Sequence, residues 1–172
     1  PGQTSKISNN GLGGIRSAGY GGEGDIGGSY LEVVGNGQSA DKDAGYGIYA
    51  YKGHVWLNFS KVNKNKGIGI LAAINGVQMN GTGNEVSDNG IKTGKSGIYS
   101  GGDMQADVIQ VENNGGYGIY AKGNVSINAV TQYEGGPKIT HYTDMSTISN
   151  NGKDGISAKK SGLGLGGAVD AL

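Results

Sequence analysis

The chain has 172 residues, among them 37 glycines, ten tyrosines, one tryptophan and no cysteine, and its formal net charge is zero. Glycine at this level occurs in collagen, disordered linkers and turn-dense β folds; collagen is excluded because glycine does not recur at every third residue, and disorder because hydrophobic residues recur in register and only 16% of residues are charged. The balanced charge, with Arg16 as the only arginine, argues against a nucleic-acid partner, and no apolar run is long enough to span a membrane.

A short phrase repeats along the chain. It is clearest where Val111 stands three residues before Asn114 and Gly118-Ile119 follows. The Ile of each Gly-Ile pair serves as a reference, and the spacings between these references are 33, 22, 28, 21 and 37 residues. The references are Ile15, Ile48, Ile70, Ile98, Ile119 and Ile156. A period of twenty-odd residues predicts a solenoid, with some coils lengthened by insertions.

Each coil is predicted to contain three short strands. The first ends at a hydrophobic residue, the second is the Gly-Ile segment, and the third follows another glycine, as in Val55 to Leu57. The residues that end the first strands are Ile7, Ala40, Val62, Val86, Val111 and Ile148. Because strand side chains alternate between faces, the reference Ile residues should form one interior column. The pattern predicts an all-β solenoid of about six or seven coils.

A polar residue recurs at the corner between the first and second strands. It stands five residues before the reference Ile in most coils, and Asn89 stands nine residues before Ile98. We expect an interior hydrogen-bonded ladder of Asn10, Asn65, Asn89, Asn114 and Asn151, with Asp43 at the same position. The alternative is that asparagine only tolerates a left-handed turn before glycine.

This repeat resembles that of the right-handed parallel β-helix family, the pectate-lyase-like solenoids of polysaccharide enzymes, phage spikes and bacterial adhesins. The resemblance covers roughly Ile7 to Ala158. It implies a right-handed parallel β-helix, with three short strands per coil.

The predicted β-helix domain covers residues 1–160 and carries three insertions. They lie near residues 17–40, 91–96 and 129–147. Residues 161–172 alternate Leu with Gly, and they are either a partial last coil or a flexible tail. Insertions in solenoids emerge as loops on one face, which is often the binding face.

No catalytic constellation is visible in the sequence. Asp103 and Asp107 share one coil without acidic partners at the same offset in neighbouring coils, and His54 is expected on the surface. The single Gly-rich stretch 21–26 is an imperfect calcium-binding repeat and favours a plain loop. We therefore predict no catalytic, cofactor-binding or metal-binding residues, and an enzyme acting on polysaccharides is the disfavoured alternative.

Aromatic residues are predicted on the outer surface. One residue after the reference Ile, or two before it, the side chain should point outward, and Trp56 should point outward from a third strand. The candidate residues are Tyr46, Tyr49, Trp56, Tyr99, Tyr117 and Tyr120. They could stack on sugar rings, pack against another subunit, or stabilise their own sheet.

These features predict a structural, extracellular or cell-surface module. We expect it to self-associate head to tail into a fibre, because the repeat fills the chain without visible capping helices. The alternatives are a carbohydrate-binding or polysaccharide-degrading β-helix that contacts surface glycans, and a fragment of an adhesin passenger.

Overall fold

The computed structural model describes residues 4–19, 24–38, 45–128, 146–160, 163–165 and 169–171. Within these ranges no residue is helical, and the regular structure consists of short strands. In chain order they are β1 Ser5–Ser8, β2 Ile15–Ser17, β3 Ile26–Ser29, β4 Leu31–Val34, β5 Ile48–Ala50, β6 Val55–Asn58, β7 Lys61–Asn63, β8 Ile70–Ala72, β9 Val77–Asn80, β10 Asn84–Ser87, β11 Ile98–Ser100, β12 Met104–Ala106, β13 Ile109–Glu112, β14 Ile119–Ala121, β15 Val125–Ile127, β16 Ser146–Ser149, β17 Ile156–Ala158, β18 Leu163–Leu165 and β19 Val169–Ala171.

The strands form three parallel sheets, and each coil contributes one strand to each sheet. Sheet A has the order β1-β4-β7-β10-β13-β16-β19, sheet B the order β2-β5-β8-β11-β14-β17, and sheet C the order β3-β6-β9-β12-β15-β18. Neighbours within a sheet are therefore three strands apart in the chain. This is a right-handed parallel β-helix of about six coils, as the sequence predicts.

The core is built from columns of aliphatic side chains. In sheet B the six reference Ile residues pair in register, and Ile48, Ile70, Ile98 and Ile119 are completely buried. Sheet C contributes residues such as Val55 and Leu57 of β6, which are also completely buried. These strands alternate between buried and more exposed side chains, so a period-two pattern is enough to fill the interior.

The interior columns correct one sequence expectation in the second coil. Val33 of β4 pairs with Ile7 and with Val62, so Val33, and not Ala40, occupies the first-strand column there. Residues 17–40 are also not one insertion, because β3 and β4 are regular strands of the solenoid. The additional residues lie in the chain between β2 and β3 and between β4 and β5.

The asparagine ladder runs through the corner between sheets A and B. In the first five members, Nδ2 donates to Oδ1 of the asparagine in the next coil, over distances of 2.8–3.1 Å. The members are Asn10, Asn36, Asn65, Asn89, Asn114 and Asn151. Asn36 fills the place assigned to Asp43, which lies outside the described residues, because the loop after Asn36 lengthens the distance to Ile48.

The ladder asparagines also bond to the backbone. In the coil of Asn89, Nδ2 donates to the carbonyl of Val62, and Oδ1 accepts the backbone N–H of Asn65. The left-handed backbone belongs to the preceding residue in each coil, for example Asp88 with φ 58° and Lys64 with φ 58°. The amide therefore joins adjacent coils, and its neighbour makes the turn.

The chain after residue 160 continues the solenoid in two sheets. Strand β18 pairs with β15, and β19 pairs with β16. Of the three expected insertions, residues 91–96 form a turn-rich loop, and residues 129–145 lie outside the described residues. Within the described ranges there is no helix of the length and apolarity that crossing a membrane requires.

Candidate binding faces of the solenoid

The outer face of sheet B carries the tyrosines predicted there. Tyr49 pairs with Leu71, Leu71 with Tyr99, and Tyr99 with Tyr120, so these residues form one outward column. Tyr117 lies beside this column, and its ring centroid is 5.4 Å from that of Tyr120. In the same way Tyr46 lies 5.0 Å from Tyr49. The sheet therefore brings together five of the six predicted aromatic candidates, in two clusters separated by the coil of Leu71.

The tyrosine rings pack mainly on one another. Tyr99 and Tyr120 are stacked, with centroids 5.1 Å apart and an angle of 23° between the rings. One face of each ring lies against the other ring, and Nζ of Lys122 and of Lys159 lies 5.9 Å from the centroids of Tyr99 and Tyr120, respectively. This geometry leaves little ring face for a sugar or a base to stack on.

Cations surround the tyrosine clusters. Nζ of Lys153 is 5.0 Å from the ring centroid of Tyr117, Nζ of Lys122 is 5.9 Å from that of Tyr99, and Nζ of Lys159 is 5.9 Å from that of Tyr120. At the other end of the sheet, the guanidinium of Arg16 is 5.8 Å from the centroid of Tyr49. Such cation–π contacts hold the long side chains over the sheet.

Trp56, the sixth candidate, lies on a different face. It projects outward from β6 in sheet C and is 43% exposed. Its ring stacks on that of His54, with centroids 5.6 Å apart and 13° between the planes. On the adjacent strand Gly27 pairs with Trp56, and an added Cβ at Gly27 would contact only the Trp56 carbonyl oxygen, at 4.0 Å. The indole is thus held on its His54 side, and among the described residues nothing crowds the space beside it above Gly27.

A shallow groove extends from Trp56 along sheet C. Its walls carry side-chain amides, a carboxylate and the two aromatic rings. The side chains are those of His54, Trp56, Asn75, Gln78, Asp103 and Gln105. Gln78 and Gln105 follow Trp56 in the same column of the sheet, so hydrogen-bonding groups recur at each coil, about 4.8 Å apart. The groove offers an apolar ring followed by a row of donors and acceptors.

His54 is more strongly fixed than a surface histidine is expected to be. It is half-buried, and its Nδ1 accepts the backbone N–H of Gly76 at 3.3 Å. Its own backbone N–H donates to Oδ1 of Asp25 at 2.7 Å. With Nδ1 acting as acceptor, the neutral ring carries its proton on Nε2. His54 lies at the surface, as the sequence predicts, and the bond to Gly76 forms because residues 54 and 76 stand at equivalent corners of adjacent coils.

The aspartates of sheet C act as links between coils. Oδ1 of Asp103 accepts the backbone N–H of Asn124 at 2.8 Å, and Oδ2 of Asp107 accepts that of Gly81 at 2.8 Å. Both carboxylates therefore satisfy backbone donors where strands enter or leave the sheet. In the described part of the chain, no three His, Cys, Asp or Glu side chains cluster closely enough to hold a metal ion.

The groove includes residues that the sequence argument did not single out. Gln78 and Gln105 line the groove in the Trp56 column, and residues 54 and 56 alternate with the inward Val55. Gly27 lies beside Trp56 on the strand at its other side, outside the lining of the groove. Strand parity therefore places His54 and Trp56 side by side, and this signal was available in the sequence. The space beside Trp56 above Gly27 depends on the register between β3 and β6. The spacing of the repeat does not reveal this register, because additional residues precede β3.

No family model, curated protein or solved structure that was compared with this chain matches it. The assignment as a β-helix accordingly follows from the strand order and the registers described above.

Proposed function

We propose that this chain is a structural β-solenoid module of a secreted or cell-surface protein and that it binds a saccharide in the groove of sheet C. The observation that carries the proposal is the exposed Trp56 ring, which stacks on His54 and lines the groove together with Gln78 and Gln105. The C–H face of a sugar ring packs well on an indole. Because His54 already restrains the indole, less side-chain entropy is lost on binding.

The polar side chains beside Trp56 support the same ligand class. Sugar hydroxyls both donate and accept hydrogen bonds, and the amides of Gln78 and Gln105 offer both functions. The Gln78 amide is oriented by a hydrogen bond from its Nε2 to Oδ1 of Asn80, at 3.0 Å. We propose binding rather than cleavage, because Asp103 and Asp107 are engaged by backbone amides. Release of reducing ends from polysaccharides measures cleavage, and we expect none.

A glycan array tests the proposal on the whole chain. The unmodified chain should give signals with a related set of saccharides, and Trp56→Ala should abolish them. Tyr51→Ala is the matched control, because Tyr51 is an equally exposed aromatic residue (46%) outside sheet C, and it should retain the signals. Binding that survives Trp56→Ala, or an array without signals, would contradict saccharide binding in this groove.

Self-association is the second candidate function, and strand β18 favours it. Leu163 and Leu165 pair with the buried Val125 and Ile127 but are 54% and 45% exposed themselves. A further coil, from a second copy or from a longer chain, would cover these side chains. Size-exclusion chromatography with negative-stain microscopy tests stacking between copies, and a monodisperse monomer at high concentration would contradict it.

The extracellular location and membership of the pectate-lyase-like family stay predictions from the sequence.

A further inference from the structure

The charges on sheet B are distributed differently from those on sheet A. On sheet A, opposite charges alternate in register, and Lys6–Glu32 and Lys61–Glu85 form ion pairs at 3.3 Å and 3.0 Å. On sheet B, the exposed Lys122, Lys153 and Lys159 lie over tyrosine rings. In the described part of the chain none of these three lysines forms an ion pair.

Two of these lysines are direct neighbours. Ala121 pairs with Ala158, and Lys122 and Lys159 follow them, so the two ammonium groups extend from equivalent positions of adjacent coils. Like charges directly opposite one another in a sheet repel. An anion bound between them would relieve this repulsion.

We propose that the lysine–tyrosine face, formed by Tyr99, Tyr117, Tyr120, Lys122, Lys153 and Lys159, binds an acidic polysaccharide. The negative charges of the polymer complement the lysines, and the sugar hydroxyls meet the exposed tyrosine hydroxyl groups. The cation–π contacts hold the lysines over the sheet before binding, which lowers the cost of ordering them.

The ring geometry favours this ligand over a single-stranded nucleic acid. Single-stranded nucleic acids bind sequence-independently through bases that stack on aromatic faces. One face of Tyr99 lies against one face of Tyr120, and lysine Nζ atoms lie 5.9 Å from both ring centroids, so these rings offer less open face to a base while the lysines offer charge. The face is separate from the groove of sheet C, and the inference does not depend on the proposed function.

The test is a calorimetric titration of the chain with heparin, with neutral dextran and with a thymidine oligonucleotide. We expect heparin to bind, dextran not to bind, and the oligonucleotide to bind more weakly than heparin. The double variant Lys122→Gln with Lys159→Gln should lose about tenfold in heparin affinity, and its affinity should depend less steeply on salt by roughly one unit of the log–log slope per lost contact.

Two controls make the result specific. The double variant Lys64→Gln with Lys92→Gln removes the same charge elsewhere on the surface and should bind heparin like the unmodified chain. Trp56→Ala should also bind heparin normally, which separates this face from the groove of sheet C. Absence of heparin binding, an equal loss in the Lys64/Lys92 variant, or oligonucleotide binding as tight as heparin binding would overturn the proposal.

Discussion

The side-chain amide of Asn65 donates from Nδ2 to Oδ1 of Asn89 over 2.9 Å, and the backbone N–H of Asn65 donates to the same oxygen over 3.1 Å. One asparagine thus satisfies two donors of the adjacent coil, and both residues are buried. Since a solenoid holds its coils together mainly through contacts between neighbours, such links stabilise the stack at every step.

Asn89→Ala should therefore destabilise the chain strongly. The change leaves the two donors of Asn65 without a buried acceptor, and it also removes the bonds from Nδ2 to Val62 and to Asn114. We expect a loss of about 2–4 kcal/mol in the free energy of unfolding, measured by denaturant titration. Asn124→Ala, at an exposed asparagine, should change it by less than about 0.5 kcal/mol. Equal effects of both variants would contradict the role of the ladder.

Gly69→Ala should destabilise the same corner through a steric clash. An added Cβ would lie 2.6 Å from the carbonyl oxygen of Gly97 and 2.7 Å from Nδ2 of Asn89. Neither atom can move without breaking a bond between coils, so we expect a loss of about 2–3 kcal/mol. In Gly164→Ala the nearest atom is the Ser126 hydroxyl oxygen at 3.7 Å, so that variant should keep its thermal midpoint. A normal midpoint for Gly69→Ala would show that the corner tolerates a side chain.

The ion pair between Lys61 and Glu85 should contribute little to stability. The Lys61 side chain is 57% exposed, so solvent and salt screen the pair. Glu85→Gln should lower the free energy of unfolding by less than about 1 kcal/mol, and the difference should shrink as salt is added. The measurement is denaturant unfolding at low and high ionic strength. A larger and salt-independent loss would instead point to the hydrogen bond from Asn63 to Glu85.

Gly27→Gln should hinder a sugar from packing on Trp56 without harming the fold. Among the described residues, a Cβ added at Gly27 would meet only the Trp56 carbonyl oxygen, at 4.0 Å, so a larger side chain has room beside Trp56. Saccharides bound by the unmodified chain should therefore bind at least about tenfold more weakly, which corresponds to about 1.4 kcal/mol. The thermal midpoint should stay unchanged and serves as the control. Unaltered affinity would place the sugar elsewhere.

The sequence predicts the interior of the solenoid well, because burial imposes strict rules. The columns through Ile70 and Val111 follow from a period of two within strands and from a repeat between coils. The error at Asp43 and Ala40 has a different origin. A longer loop costs little closure entropy, so the extra residues between Asn36 and Ile48 could not be placed from spacing alone. Val33 stands three residues before Asn36, as in the repeated phrase, and Gly35 makes the turn between them. This spacing was the signal that could have identified Val33 and Asn36 as the members of the two columns.

The outer faces were predicted less completely than the core. Strand parity places Tyr99 and Tyr120 outside, but it does not show that their rings stack on each other. Parity likewise places Trp56 outside without showing that Gly27 leaves space beside it. Both properties depend on rotamers and on the register between coils, and a surface imposes few constraints on either.

Fluorescence of Trp56 tests the saccharide groove most directly, because Trp56 is the only tryptophan in the chain and all indole emission comes from this site. Acrylamide should quench the free protein readily, as expected for an indole that is 43% exposed. Addition of a saccharide that binds on the glycan array should reduce the quenching constant in a saturable manner, because the sugar covers the ring. Unchanged quenching at saccharide concentrations that saturate binding would contradict the assignment of the groove as the binding site.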